Sequence, residues 1–407
     1  MRRLIVLVLA IASLPVLSRA DAQALRAVDN GWEVSRRHAV SAATLVQVAG
    51  MSGSVEVRGS SQASGIVFEE RVRIRAGSRQ EAERILAGLA LPERAGSAVT
   101  LRDTPVRDVQ RHLRVVVPRA VRVEVELAGG SILLEGTAGP ANLRTSGGSV
   151  SVRSVEGNVY VSSAGGHLSA VAIQGRFRAT TSGGAVEVSQ VSDVVNVVTA
   201  GGAVSVEETG AAVKVATAGG GVTVRSAEGL VEVSTAGGAI HVQNLGGEAS
   251  LSTAGGDIEI RSAAGYIRAS TSGGDVEASG LRRGADLETL AGDMDLSDVG
   301  GPLRLRTAVG DVFVRLRSSE TVPDLIVRSQ LGDIEVELPE GISAELDASL
   351  AAAGALSRND IISDFPVTRE PAGPGQRIRS RGRVGDGAGT VRLEAQDGSI
   401  RIRAIRR

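Results

Sequence analysis

The chain contains no cysteine. Disulfides, thiolate metal sites and cysteine nucleophiles are excluded together, and so is the lipid-bearing cysteine of a bacterial lipoprotein. Stability has to come from packing and backbone pairing. Aromatic residues are scarce as well, 2% of 407, while glycine contributes 52. A thick core around Phe and Trp cannot be built from such a set, but a thin one lined by Val, Ile, Leu and Ala can. Net charge is almost absent, with Lys+Arg 45 against Asp+Glu 46. That balance argues against nucleic acid as a partner. The apolar fraction of 42% is ordinary and periodically arranged, which argues against disorder.

The N-terminus has the three parts of a secretory signal. Arg2 and Arg3 form a basic region, residues 4–14 are an apolar run too short to span a bilayer, and Pro15 ends it. Ala20-Asp21-Ala22 then places small residues at the positions a signal peptidase reads, so residues 1–22 are expected to be removed. No later run is apolar enough to cross a membrane. The mature chain is expected in the periplasm, secreted or at the cell surface.

What is present is a repeat. From Gly129 the dipeptide Gly-Gly recurs every 18 residues, including Gly201, Gly219, Gly237 and Gly255, and then degenerates in phase to Ala291-Gly292 and Val309-Gly310. A second turn follows ten residues later, at Gly139, Gly157, Gly175, Gly229, Gly247, Gly265 and Gly301. Between the turns apolar and polar residues alternate, as in Val204/Val206, Val222/Val224 and Ile240/Val242, or Val195/Val197, Val213/Val215 and Val231/Val233. Period-2 alternation marks a strand with one buried face. Two short strands per 18 residues, apolar at the same places in each copy, predict a single-stranded parallel β-helix. Each strand pairs with its counterpart one coil away at ~4.8 Å, and ten to twelve coils give a rod roughly 50–60 Å long. Glycine at the corners is expected to supply positive φ and to admit close backbone stacking.

Two residues before each Gly-Gly stands a hydroxyl, among them Thr199, Thr217, Thr235 and Thr253. Parity with the inward valines places it inside the corner, where it can hydrogen-bond along the stack and hold register. An ice-binding face would need outward, paired threonines, so that reading is rejected.

The ends depart from the period. Residues 23–128 hold strands at 66–74 and 113–127 and a Gly53-Ser54-Val55-Glu56-Val57 segment like a first coil. They also hold a helix over about 78–89 that opens on the capping box Ser78-Arg79-Gln80-Glu81 and carries Ala82, Ile85, Leu86 and Leu89 on one face. These form a small α+β cap. The repeats occupy 129–338, with a four-residue insertion before the last coil, and 339–407 form a C-terminal cap. Taken in order, the exported N-terminus, the helix, Val115-Val116-Val117-Pro118, the serial coils, Ser363-Asp364-Phe365-Pro366-Val367 and the closing Gly398-Ser399-Ile400-Arg401-Ile402 resemble the bacterial putative-adhesin family of β-strand-repeat domains of unknown function, sometimes grouped with head-domain autotransporter adhesins. The resemblance covers nearly all of the mature chain. It implies a β-helical fold at the cell envelope with an adhesive or scaffolding role, and it brings no catalytic residues.

Candidate chemistry is sparse. Asp257, Asp275, Asp293, Asp311 and Asp333 stand beside successive corners. Stacked carboxylates repel, so either a divalent cation such as calcium or backbone N–H groups must offset them. The calcium nonapeptide motif is absent. His38, His112, His167 and His241 share no metal-ligand spacing, and no catalytic triad or phosphate-loop signature occurs. Tyr160 and Tyr266 could touch a sugar. Arg377, Arg379, Arg381, Arg383, Arg401, Arg403, Arg406 and Arg407 could engage an anionic surface or lie as solvated strand side chains. The expected protein is a non-catalytic binding surface or scaffold without cofactor, whose partner is an envelope protein or glycan. A structural envelope-stress component and a carbohydrate-active β-helix enzyme are the alternatives.

Overall fold

The computed structural model describes residues 20–22, 24–104, 106–317, 324–351, 360–370 and 377–405. Nearly all of the expected signal segment, and Arg406 and Arg407, lie outside the described residues. Ala20–Ala22, at the expected cleavage point, pairs antiparallel with residues 36–38.

Through the repeat, every strand lies parallel to the strand eighteen residues later, like position over like position. On one face Val186 stacks on Val204, Val204 on Val222 and Val222 on Ile240; on the other Val195 stacks on Val213 and Val213 on Val231. The first-face strands include Val204–Thr209 and Val222–Ala227; the second-face strands include Val195–Thr199 and Val213–Thr217. The insertion lengthens one lap without losing phase, since Leu303 pairs with Leu325 and Val312 with Ile334. Inward Val, Ile, Leu and Ala side chains from both faces form one continuous buried core. A single coil could not bury that face alone, so stacking and core formation are one event.

A left-handed column breaks the simple alternation. Ser154, Ala172, Gln190, Glu208, Ser226, Asn244, Ser262 and Asp298 all have φ between 52 and 58°, and Gly280 fills the same place. Each follows one outward residue with another, so the next residue turns inward again: Val155, Ile173, Val191, Ala227 and Leu245 are all buried. A left-handed L-residue costs about 1–2 kcal/mol. Burial of the following apolar side chain offsets that cost.

The coils at the ends stack out of chain order. The strand Leu45–Ser60 bends through both faces and sits between the lap made by Ala98–Arg102 and Val109–Pro118 and the lap that begins at Arg122–Gly129. At the other end Gly389–Asp397 and Ile400–Ile405 slide between the coil containing Leu325–Leu331 and the final strands Ala344–Leu350 and Ile361–Ser363. The boundaries at 129 and 338 are therefore not edges of the fold, because the ladders run on through them. Beyond the N-terminal coils, Gly65–Ile74 and Gly31–Ser41 add antiparallel strands. The helix Arg79–Ala87 packs Ala82, with Ile85 and Leu86 partly buried, and Leu89 just past its end, against Val34, Val72, Ile74 and Val109. Its cap is as expected: Ser78 accepts the Glu81 N–H at 3.2 Å. The terminal strands Glu93–Ala95, Thr368–Glu370 and Ile361–Ser363 are three residues each, which leaves little edge for another chain to extend.

At the corners the structure moves the glycine requirement by one residue. A side chain at Gly201, Gly219, Gly237 or Gly255 would meet nothing nearer than ordinary contact. A Cβ at Gly202, Gly220, Gly238 or Gly256 would collide with the carbonyl oxygen of the glycine one coil below. Most of these second glycines do not have positive φ, so close backbone approach, not handedness, demands them. Gly237→Ala is therefore expected to change stability by less than about 0.5 kcal/mol. Gly238→Ala is expected to cost about 1–3 kcal/mol or more, through forced displacement of the coils. Urea unfolding of the two variants checks the pair, and equal losses would contradict this geometry.

Candidate binding surfaces

The corner hydroxyls are buried, and their partners are glycine backbone groups rather than one another. Thr235 Oγ1 donates to the Gly220 carbonyl of the coil below at 3.1 Å and accepts the Gly238 N–H at 3.1 Å. Thr253 does the same with Gly238 and Gly256, at 2.9 and 3.2 Å. Thr199 and Thr217 accept from Gly202 and Gly220, each at 3.2 Å. This column is internal and presents nothing to a ligand. A contrast case lies on the same core: the buried Thr209 hydroxyl has no hydrogen-bond partner. Thr209→Val is expected to stabilise by about 1 kcal/mol, whereas Thr235→Val leaves two buried backbone groups unpaired and costs about 1–3 kcal/mol. Thermal melts that move both variants the same way would contradict these assignments.

The aspartate column is a backbone ladder as well. Asp257 Oδ1 accepts the N–H of Asp275 at 2.9 Å, Asp275 that of Asp293 at 2.8 Å, Asp293 that of Asp311 at 2.8 Å, and Asp311 that of Asp333 at 2.7 Å. The partner is thus the next coil's backbone, not the residue's own turn. Among the described residues no group of three His, Asp or Glu side chains is placed to hold a metal ion, so Asp257, Asp275, Asp293 and Asp311 do not come together as a calcium cluster.

Outward columns place opposite charges on successive coils. Lys214 meets Glu232 at 2.7 Å, Arg225 meets Glu207, and Arg317 meets Asp298 at 2.7 Å, while His241 Nδ1 lies within hydrogen-bond reach of Glu259 at 2.8 Å. Four of the C-terminal arginines are similarly matched: Arg379 bonds both oxygens of Asp347, Arg381 reaches Glu370, Arg401 reaches Asp333 and Arg403 reaches Glu335, while Arg383 donates to the Asp386 carbonyl at 3.1 Å. Arg379 beside Asp347 holds that carboxyl below its usual range. Pairing of this kind speaks against an open anion-binding patch there. Tyr160 is exposed between Asn142 and Arg178, while Tyr266 lies under Arg268. Two exposed apolar side chains, Val309 and Leu331, stack on each other at the open glycine position, with exposed Leu290 nearby. Because a Cβ is free to project there, these coils carry large side chains without disturbing the stack.

Sequence reasoning missed a buried charged cluster under the N-terminal cap. Glu70 accepts from Arg36 at 2.8 Å and from Arg111, which also reaches Asp103 and donates to the Ala90 carbonyl at 3.2 Å. Strand alternation placed these side chains inward, and that was the available signal. Buried charges persist only when paired in this way. His38 shares the cluster, and its Nε2 has no partner. Burial, and then the Arg36 and Arg111 cations, hold its pKa below the usual imidazole range, with Glu70 opposing. The unfolded chain therefore takes up this proton more readily than the folded one, so stability is lost as pH falls below about 6.5. His38→Leu is expected to flatten the fall in melting temperature between about pH 7 and pH 5. An unchanged slope would show that His38 does not titrate as its surroundings require.

The fold and surfaces together define a capped parallel β-solenoid of the repeat-domain class. Residues 222–359, about a third of the chain, match the family described as Toastrack DUF4097. No curated protein matches the chain in sequence. Among solved structures, a "putative cell adhesion protein" from Clostridium sporogenes aligns at 9% identity over 95% of this chain and 100% of its own, with a TM-score of 0.15. A "putative adhesin" from Bacteroides fragilis aligns at 13% identity over 75% and 96%, with a TM-score of 0.20. Superpositions that loose carry no argument about this chain. The adhesin-type repeat family expected from the sequence agrees with the Toastrack match. Among the described residues no helix is long and apolar enough to cross a membrane.

Proposed function

We propose that this chain is an exported, non-catalytic β-solenoid that presents a rigid, adhesin-like binding surface or scaffold at the cell envelope, with an envelope protein or glycan as its partner. One observation carries the reading: the eighteen-residue laps stack in register, so each outward position becomes a column of fixed spacing along the rod. Such columns suit a repetitive or extended partner, since the backbone that sets them cannot flex without breaking many parallel pairings. The exposed Val309 and Leu331, stacked on each other with Leu290 nearby, favour binding over a purely structural role, because contiguous rather than scattered exposed apolar side chains mark contact sites. The carbohydrate-active alternative has less support: the outward faces carry paired charges, and the exposed Tyr160 has no aromatic neighbour in its column.

The test is a pull-down from native envelope material, run with a glycan binding screen, comparing the intact chain with a Leu290→Ser, Val309→Ser, Leu331→Ser variant. Retention of an envelope component that the variant loses is the expected result. No retention and no glycan signal would leave the scaffold reading in place, and turnover of a polysaccharide would overturn the non-catalytic one.

A further inference from the structure

A second surface lies at the N-terminal end of the rod, where the first face runs on into the cap. The outer sides of Gly31–Ser41, Gly65–Ile74 and Val109–Pro118, with the second half of Leu45–Ser60, twist into a depression of about 710 Å³. Two cross-strand rows floor it. One alternates in sign, Arg37, Glu69, Arg114, Glu56, with Arg114 at 3.3 Å from Glu56 and Arg37 at 3.6 Å from Glu69. This row is close to neutral.

The other row is Ser35, Arg71, His112, Ser54, and it contains no acid. Arg71 is poorly matched: Glu33 stands 3.9 Å away and is already held by Arg73 at 2.7 Å. The Arg71 side chain is 63% exposed. His112 Nδ1 and Ser54 Oγ lie 2.6 Å apart, which ties the imidazole to the neighbouring strand. Behind the row, Arg36 and Glu70 neutralise each other and add no net charge. A guanidinium, an imidazole and hydroxyls thus stand in line across four strands, with a forked cationic donor that is only loosely paired and open to solvent.

We propose that the Arg71–His112–Ser54 row binds an oxyanion, the carboxylate of an acidic sugar or a phosphate group. Arg71 would supply a two-pronged charge-assisted contact, while His112 and Ser54 orient the remaining oxygen. The site is independent of the repeat faces, so its failure would leave the reading of the rod untouched.

Calorimetric titration of the full chain with galacturonate and, separately, with inorganic phosphate tests the site. At least one titration is expected to saturate in the millimolar range, and the arm that does so identifies carboxylate or phosphate as the preferred group. Arg71→Ala is expected to weaken binding about tenfold or more, whereas Arg178→Ala, on the far side of the repeat, leaves it unchanged. Arg71→Lys retains the charge but not the fork, and is expected to bind more weakly than the parent chain. Absence of saturation in both arms, or parental affinity in the two Arg71 variants, would overturn the proposal.

Discussion

The close approach of one corner to the corner below it governs this molecule. At Gly202, Gly220, Gly238 and Gly256 a carbonyl oxygen of the preceding coil occupies the space a Cβ would need. Only with that contact closed can the strands on both faces lie at hydrogen-bonding distance, valine over valine. The threonine three residues earlier ties the same corner: Thr199, Thr217, Thr235, Thr253 and Thr271 accept an N–H within their own turn, and from Thr235 to Thr307 the hydroxyl donates to the coil beneath. Backbone contact, buried hydroxyl and apolar core are thus parts of one arrangement.

That arrangement also decides which positions are free to vary. Inward and second-glycine positions are occupied by the stack itself. Outward positions, the first glycine of each pair and the left-handed column all face solvent or open space. Charge pairs such as Lys214 with Glu232 run from coil to coil because the residues eighteen apart are the nearest neighbours. The apolar ridge of Val309 and Leu331 stands where earlier coils carry glycine, at a site the stack tolerates. Surface chemistry can therefore change along the rod while the rod stays the same.

The repeat was legible because its period is written in residues that physics constrains: glycine where no Cβ fits, valine where the core is thin, threonine where a buried N–H needs an acceptor. The helix was legible from Ser78 and its apolar face. Other features left weaker marks. Ser154, Gln190 and Glu208 adopt left-handed backbone without being glycine or asparagine, so nothing in their identity announces the break in alternation. The displaced order of the end coils depends on pairings such as Val55 with Ile132, which no local pattern encodes. The glycine that matters at each corner was read one residue too early, since both members of the pair recur equally. The buried Arg36–Glu70–Arg111 cluster looked like ordinary strand polarity until three strands brought the side chains together.

The central claim is that each lap of eighteen residues advances the chain by one strand spacing along a single axis. The absence of native cysteine permits a direct measurement with paired spin labels at introduced cysteines. Glu187→Cys with Glu277→Cys, five laps apart, is expected to report a separation of about 24 Å, and Ser151→Cys with Glu277→Cys, seven laps apart, about 34 Å. Separations that fail to grow in proportion to the number of laps would contradict the stacked solenoid.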